Sequence, residues 1–599
     1  MYLRSTKRKN KNGTVTEYLQ LAHNVRDPET NSTVARIIHS FGRADQLDRE
    51  ALVRLARSIA RVCGITILDA DGDDVHQQGR GGLPGDLEIL CTVELGTVLV
   101  IETLWERLGI GKALRALLGK GKYAVPYDQA LLAMTANRLC APESKLSVWD
   151  RWLERVHLPG CHGLKLRQMY EAMDFLHQHI DAVEEAVFFQ TANLFNLSVD
   201  LIFYDTTTAS FAIDYEDDAD ENNAGLRQYG HSKEGTWTPQ IVVALAVTRE
   251  GLPVKSWVFP GNTADVSTVE RIRQDLRGWK LGRALFVADS GMNSADNRQE
   301  LARACGRYLL ATRMATVAEI KQEVLAQPGR YTKITDNLHA KEVVIGDGER
   351  RRRYILCYNP KEAERQRAHR DGIVRLLEEE LASHRDRDAS AQWAVELLAS
   401  KRYKRYLTTT ETGKLRLDRA AITEAKRYDG KWVLETNDDT IGLEDAALGY
   451  KGLLVIERCF RSLKRTQIQM MPMYHWAGRR IETHVKICVL ALLLERVAEL
   501  ECGQPWSHIR ASLAKLQATR FRNSQHSFFQ INSPPNDCRE LLKKLATPFP
   551  AKVFGIEPVE KQVCNYSAPS ETGAAAIKAG HLPWKSRRKA SRLGVFHNP

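Results

Sequence analysis

The stretch Val199-Asp200-Leu201-Ile202-Phe203-Tyr204-Asp205-Thr206-Thr207-Thr208 is an apolar run that meets an acidic residue and three threonines. A short apolar run with aliphatic and aromatic side chains predicts a buried strand, here over residues 199–204. Asp205 is then expected at the carboxyl end of that strand, where sheet proteins gather their ligands. Because an Asp after a strand is as often a turn or cap residue, a functional role for Asp205 depends on its partners.

A second strand with the same ending follows further along the chain. The pattern predicts strands over residues 241–248 and 253–259, joined by a short turn, then a helix over 266–279 that begins near Asp265, then a strand over 283–288 that leads into Asp289. A three-stranded antiparallel meander followed by a helix and a parallel strand is the layout of the ribonuclease-H-like fold, an α/β fold. The first and fourth strands are neighbours in that layout, so we expect Asp205 and Asp289 to face each other.

Two carboxylates at adjacent strand ends repel each other unless a cation neutralises them. Mg²⁺ is the expected cation, because it is a hard ion that one or two carboxylates bind together with substrate phosphate. The candidate for a third carboxylate is Glu457. It lies in Tyr450-Lys451-Gly452-Leu453-Leu454-Val455-Ile456-Glu457-Arg458-Cys459-Phe460-Arg461-Ser462-Leu463-Lys464, which predicts one amphipathic helix. Taken alone, Glu457 is a surface acid that pairs with Arg461 one turn later.

Taken together, these three blocks resemble a known family. Tyr204-Asp205-Thr206-Thr207, Val287-Ala288-Asp289-Ser290-Gly291 and the segment around Glu457 are similar to the three blocks of DDE transposases from bacterial insertion sequences, in particular the IS-four superfamily. The third block of that superfamily is Tyr-x2-Arg-x3-Glu-x6-Lys. Tyr450, Glu457 and Lys464 match it, whereas Leu453 stands where the pattern has Arg.

The resemblance implies an enzyme that cuts DNA at the element ends and joins the freed 3′-hydroxyl to target DNA. Asp205 and Asp289 are expected to bind one Mg²⁺, and Asp205 and Glu457 a second; Mn²⁺ is an expected substitute. Tyr450 and Lys464 are expected to contact phosphates, with Lys233 and His231 as weaker candidates. The contact of the missing Arg is either absent or supplied by Arg458 or Arg461. Since two ends must be paired, a homodimer is expected on double-stranded DNA with terminal inverted repeats.

Asp289 and Glu457 are separated by 457 − 289 = 168 positions, which is more than one connection requires. This gap predicts an inserted domain, and its turn and strand patterns make it β-rich. The predicted organisation is an N-terminal β unit and helix (1–70), a linker (71–95), a helical region (96–195), a first core half (196–305), the insertion (306–440), a second core half (441–502) and a C-terminal region with a basic tail (503–599). Within these regions the pattern predicts a β unit over residues 1–45 and helices over 48–62, 145–157 and 507–521. The helical region either binds DNA or forms plain core helices.

Composition limits the partners of the chain. A net charge of +12 and an isoelectric point of about 9.1 favour a polyanion, either nucleic acid or an acidic membrane surface. No apolar run is long enough to span a membrane and no basic amphipathic helix suits a membrane surface. The N-terminus has no secretory apolar segment, and the eleven cysteines show no C-x-x-C spacing. We therefore expect a protein of the bacterial cytoplasm that is associated with the nucleoid when bound to DNA.

Several features keep two interpretations. The run Arg350-Arg351-Arg352-Arg353 either follows a DNA backbone or is a charged strand edge that resists aggregation. Trp393 and Trp432 either stack on an unpaired base or belong to the core. His475 and His484 are either ligands or structural side chains. The rival functions are an inactive, transposase-derived DNA-binding protein and a ribonuclease-H-type nuclease without strand transfer.

Overall fold

The computed structural model describes residues 2–9, 15–26, 33–44, 87–121, 125–197, 199–218, 225–348, 351–383, 391–411 and 414–559. The chain divides into two compact units, Met1–Leu83 and Pro84–Pro599. The predicted helix over residues 48–62, the linker up to residue 86, Arg350 and the basic tail lie outside the described residues.

The first unit contains an antiparallel sheet of three strands in the order β1-β2-β3, as the sequence predicted for residues 1–45. The strands are β1 (Tyr2–Lys9), β2 (Val15–Arg26) and β3 (Thr33–Arg43).

The second unit begins with a strand and four long helices. They are β4 (Glu88–Glu94), α1 (Gly96–Arg107), α2 (Ile110–Gly121), α3 (Tyr127–Cys140) and α4 (Leu166–Leu194). The single helix predicted for residues 145–157 is wrong: a short helical turn passes into a π-helical segment, Val148–Trp152, and a 3-10 turn. The helical turns end at Arg155, because Val156 is extended and pairs with Glu94 at the end of β4.

The predicted strands form the centre of a large sheet. The elements are β5 (Leu201–Ser210), β6 (Gln228–His231), β7 (Trp237–Val247), β8 (Pro253–Pro260), α5 (Val269–Gly278), β9 (Leu285–Ala288), α6 (Ala295–Ala302) and β10 (Arg307–Thr312). β7 runs antiparallel to β5 and β8, whereas β5, β9 and β10 are parallel neighbours. The predicted contact between the first and fourth strands is confirmed, with Tyr204 opposite Ala288. The strand did not end at Tyr204 as predicted, because it continues through Asp205 to Ser210.

The strands of the predicted insertion extend this same sheet. They are β11 (Thr332–Thr335), β12 (Leu338–Ile345), β13 (Arg352–Tyr358), β14 (Leu407–Thr409), β15 (Leu415–Leu417) and β16 (Lys431–Thr436), with helices α7 (Pro360–Ser383), α8 (Ala391–Ala399) and α9 (Arg419–Lys426). β16 pairs antiparallel with β10, so the sheet runs β11-β12-β13-β16-β10-β9-β5-β7-β6, with β8 on β7. β14 and β15 form a separate two-stranded sheet.

The segment around Glu457 is not one helix, contrary to the prediction. It consists of α10 (Leu443–Lys451) and α11 (Leu454–Arg461), followed by a π-helical turn, Ser462–Thr466, that contains Lys464. The break falls at Gly452, where a Cβ atom would lie 2.5 Å from Cζ of Phe203 in β5. The chain can pass this close to the sheet only because glycine has no side chain. The long buried helix α12 (Gly478–Cys502) follows.

The C-terminal region adds α13 (Trp506–Leu513), β17 (Gln517–Arg522), β18 (His526–Ile531), α14 (Asn536–Lys544) and β19 (Val553–Pro558). These strands form a four-stranded sheet in the order β19-β18-β17-β4. Two predictions are therefore wrong: residues 88–94 are a strand rather than linker, and the helix predicted over 507–521 ends at Leu513. Pairing with β4 gives residues 517–522 ladder hydrogen bonds that a helix would exclude.

The two faces of the central sheet pack against different helices. Leu201 and Phe203 belong to the main core, which also contains Ile456 and Phe460 of α11. Ile202 and Tyr204 belong to a second core with Ile272 of α5. Side chains alternate along a strand, so Asp205 follows Phe203 toward the α11 face and Thr206 follows Tyr204 toward the α5 face. Among the described residues, no helix is both long and apolar enough to cross a membrane.

Candidate active site at the ends of β5 and β9

Asp205 and Asp289 follow a matched pair of residues on adjacent parallel strands. Tyr204 lies opposite Ala288, and each aspartate comes next along its own strand. Burial raises the pKa of the Asp205 carboxyl to about 6; the Lys233 ammonium and the Thr206 N–H act against this, and the charges of Asp265 and Asp289 add to it. Repulsion from the Asp289 carboxylate therefore contributes to the raised pKa of Asp205, but burial contributes more.

Tyr450, on α10 just before the Glu457 helix, contacts Asp289. Its hydroxyl donates a hydrogen bond to Oδ1 of Asp289 at 3.3 Å. Burial raises the pKa of Tyr450 well above its usual range, and the charges of Asp289, Asp205 and Glu457 raise it further. One phenol therefore lies within the electrostatic reach of all three predicted carboxylates. Tyr450 was predicted to contact phosphate, but in this structure its hydroxyl is bonded to a carboxylate.

Glu457 is exposed on α11, opposite the buried side chains of Ile456, Cys459 and Phe460. The predicted pair with Arg461 is not formed, and neither side chain has an ion-pair partner among the residues that the structure describes. Within those same residues, no group of three or more His, Cys, Asp or Glu side chains is close enough to hold a metal ion. The fold thus brings Asp205 and Asp289 together and leaves Glu457 nearby on the neighbouring helix.

Asp265 is a fourth acid of this region, which the sequence placed only at a helix start. Its Oδ1 accepts a hydrogen bond from the Thr206 hydroxyl at 2.6 Å, and its Oδ2 pairs with Nζ of Lys233 at 2.9 Å. Its side chain makes no N-cap hydrogen bond. The one feature of the sequence that could have assigned Asp265 to the site is its position, because it follows β8 in a turn that returns to the region of Asp205.

The predicted phosphate-binding lysines both have carboxylate partners within the chain. Lys233 pairs with Asp265, and Nζ of Lys464 lies 3.0 Å from Oε1 of Glu234. Arg465 reaches the same oxygen at 3.1 Å, and hydrogen bonds from Lys464 and Arg465 lower the pKa of Glu234. The turn between β6 and β7 thus makes two contacts. Lys233 pairs with Asp265, and Glu234 pairs with Lys464 and Arg465 at the end of the Glu457 segment.

The remaining predicted side chains occupy structural or surface positions. His231 is exposed, with its ring 4.7 Å from that of Trp237. Trp432 packs against the main core, and Nε1 of Trp393 donates to Oε1 of Glu380 at 3.0 Å. His484 is buried, with Nε2 2.9 Å from the Met470 carbonyl oxygen and Nδ1 3.2 Å from Nζ of Lys145. These contacts favour the core and structural interpretations over base stacking and metal ligation.

Two family models match the chain. The model described as the IS1634 family transposase N-terminal domain matches residues 3–71, and the transposase DDE domain matches residues 210–493. The second match contains Asp289 and Glu457 and begins at the last residue of β5, after Asp205. No curated protein matches the chain.

The chain is similar to a cryo-EM structure of the piggyBac transposase synaptic complex with hairpin DNA. The match covers 70% of this chain and 79% of the piggyBac chain. The identity is 10% and the TM-score 0.31, which is too low to relate the two folds.

Proposed function

We propose, since this chain belongs to the DDE transposases of insertion sequences, that Asp205, Asp289 and Glu457 are its three catalytic carboxylates. The chain is an enzyme of DNA transposition, and as a transposase it binds DNA. The observation that carries the assignment is the position of Tyr450: its hydroxyl is bonded to Asp289 and is affected by the charges of Asp205 and Glu457. Three acids from distant parts of the sequence therefore act on one phenol, one of them by direct contact.

The strand order supports a ribonuclease-H-like core. β8, β7, β5, β9 and β10 are consecutive neighbours, and β7 alone runs against the others. This order follows the meander, helix and parallel strand that the sequence predicted. It supports carboxylates at the ends of the first and fourth strands as the centre of catalysis.

Catalysis by DDE transposases depends on divalent metal ions. The donor set at β5 and β9 is made of carboxylate oxygens, which suits Mg²⁺ or Mn²⁺. In our proposal Asp205 and Asp289 hold one Mg²⁺, and Asp205 and Glu457 hold a second. The bound ions would lower the pKa of the attacking water or hydroxyl and stabilise the leaving oxygen of the phosphodiester.

The protein's own groups hold the carboxylates in place and exclude competing contacts. The Thr206 N–H donates to Oδ1 of Asp205 at 2.7 Å, and the Tyr450 hydroxyl fixes Oδ1 of Asp289. Glu457 is exposed, so it can move toward the aspartates when DNA and metal ions arrive. Lys233, Lys464 and Arg461 are the proposed phosphate contacts, and the first two would exchange the carboxylates of Asp265 and Glu234 for phosphate.

The proposed substrates are double-stranded DNA with the terminal inverted repeats of the element, and target DNA. The complete reaction is cleavage at the element end followed by attack of the freed 3′-hydroxyl on the target. Pairing of two ends requires two active sites, so we place a homodimer in the DNA complex. The proposed location is the bacterial cytoplasm, on the nucleoid when DNA is bound.

The test is cleavage of duplexes made from the DNA that flanks the coding region. Asp205→Asn, Asp289→Asn and Glu457→Gln should each abolish Mg²⁺-dependent cleavage and strand transfer while DNA binding persists. Glu444→Gln, an exposed acid at the start of α10, is the matched control and should behave as wild type. Cleavage at the wild-type rate by one of the three variants would remove that residue from the site, and cleavage without strand transfer would indicate a nuclease.

A further inference from the structure

A cavity of about 410 Å³ lies directly beside the proposed catalytic centre. Its wall includes Ser290 and Gly291, the two residues that follow Asp289, and it continues to side chains beyond β10 and on β13 and β16. A Cβ atom at Gly291 would lie 3.7 Å from Oδ2 of Asp265. The Ser290–Met292 turn therefore separates the acidic side of the site from this cavity.

Three arginines line the cavity. Nε of Arg298 pairs with Oε1 of Glu435 at 3.2 Å, and Arg352 pairs with Oε2 of Glu319 at 2.6 Å. Arg313 is exposed and has no acidic partner in the described part of the chain. The only acid among the lining residues is Glu435, so the wall carries more positive than negative charge.

The basic run of the sequence divides at this cavity. Arg351 pairs with Asp439 at 2.8 Å, and Arg353 is buried and bonded to Glu342. Arg352 is the member of the described run that lines the cavity. All three described arginines of the run have acidic partners, and Arg352 differs from its neighbours in lining the cavity.

We propose that this cavity binds a phosphate of the substrate strand next to the scissile phosphate, on the side that leads away from Asp289 toward β13. This inference rests on the proposed function. In our proposal, a strand whose scissile phosphate lies at the carboxylates continues past the Ser290–Met292 turn in one direction. On the cavity side it meets guanidinium groups, whose planar donors suit phosphate oxygens. Arg298 and Arg352 are oriented by their acidic partners, and Arg313 contributes the uncompensated charge.

The variant that tests this is Arg313→Gln, because Arg313 is exposed and its loss should not disturb folding. Arg330→Gln is the matched control: it is another exposed arginine without a partner in the described residues, and it lies outside the cavity. Arg313→Gln should weaken binding of element-end DNA and reduce the slope of log K against log salt by about 1. Arg330→Gln should leave both quantities at their wild-type values.

The location of the contact is tested by replacing single phosphates of the DNA with neutral methylphosphonates. Wild type should lose affinity when the phosphate next to the scissile one is neutralised, and Arg313→Gln should no longer respond at that position while responding normally elsewhere. An unchanged methylphosphonate profile in Arg313→Gln, or an equal loss in Arg330→Gln, would overturn the proposal. Binding is measured in Ca²⁺ without cleavage, so a failure here is distinct from a failure of the carboxylate assignment, which is measured by cleavage.

Discussion

Asp205 on β5 and Glu435 on β16 are acids of the same sheet in opposite situations. Burial is the main cause of a raised pKa in both. Glu435 contacts Arg298 and Asn293 and is 3% exposed. Asp205 receives a backbone N–H, while the nearest helpful cation, Lys233, is bonded to Asp265. The charge of Glu435 is compensated within the chain, whereas the half-buried Asp205 has no cation of its own in the described part of the chain and is suited to binding one from solution.

The largest expected effect on DNA cleavage comes from replacing Asp205. Asp205→Asn keeps the size of the side chain but removes the charge that the proposed metal ions require. Since metal ions supply several kcal/mol of transition-state stabilisation, we expect DNA cleavage to fall by about 10³-fold or more. Single-turnover cleavage of element-end DNA measures the loss. A decrease of less than tenfold would show that Asp205 does not hold the reacting ions.

Asp205→Asn should increase the stability of the protein although it abolishes cleavage. The pKa of Asp205 rises from 3.8 to about 6 on folding, so the folded state holds the proton between these values. The free energy of unfolding must then fall as the pH rises through this window and stay low above pH 6. Without metal at pH 7.5, Asp205→Asn should be more stable than wild type by about 1–3 kcal/mol.

Urea unfolding at several pH values tests that prediction. The advantage of Asp205→Asn should vanish below about pH 4, and Mg²⁺ should stabilise wild type but not the variant. Glu435→Gln is the contrast: burial also raises the pKa of Glu435, but the substitution removes the carboxylate that pairs with Arg298, so it should stabilise the protein less than Asp205→Asn does, or destabilise it. An equal gain in stability in both variants would mean that the two acids do not differ as described.

A smaller effect is expected from moving the helix that delivers Glu457. A methyl group at Gly452 would meet the Phe203 ring at 2.5 Å, so Gly452→Ala should push α11 away from β5. Overpacking of this kind costs about 1–3 kcal/mol, and cleavage should fall by roughly tenfold because a small misplacement of a catalytic group is costly. Phe203→Leu removes the opposing ring atoms and should restore part of the cleavage in the double variant. Additive losses would contradict the steric explanation.

The smallest expected effect is on DNA affinity and comes from replacing the exposed Glu234. Its carboxylate holds Lys464 and Arg465, so Glu234→Gln frees two cations for DNA. Exposed pairs contribute at most about 1 kcal/mol, and we expect DNA affinity to rise by about two- to fivefold with unchanged thermal stability. Glu411→Gln, an exposed acid without a partner in the described residues, controls for net charge. Equal gains in both variants would point to net charge alone.

The strand-borne part of the site could be predicted from the sequence because apolar runs define buried strands and topology makes the first and fourth strands neighbours. Asp205 and Asp289 followed from that pattern alone. The environment of Asp205 could not be predicted, because Thr206 meets Asp265 through a turn whose path depends on tertiary structure. The same holds for Glu435, whose partner Arg298 lies on a separate helix.

The errors have a common physical origin in contacts between distant residues. A helical pattern continued across Gly452, and only the proximity of Phe203 explains the break there. Residues 517–522 form a strand because they pair with β4 at the opposite end of the second unit. Local periodicity carries no information about either partner, so helix ends and edge strands were the least predictable features.

The pairing of β16 with β10 limits how the gene can be shortened. When an inserted domain is connected to a catalytic domain only through a loop, an in-frame deletion can remove it and leave the catalytic domain folded. Here, excision of the strands after β10 would remove the β16 partners of residues Leu309 to Thr312 and leave β10, which still pairs with β9, as an open edge. Such an edge recruits other chains into aggregates. We expect internally deleted copies of this gene to encode insoluble protein.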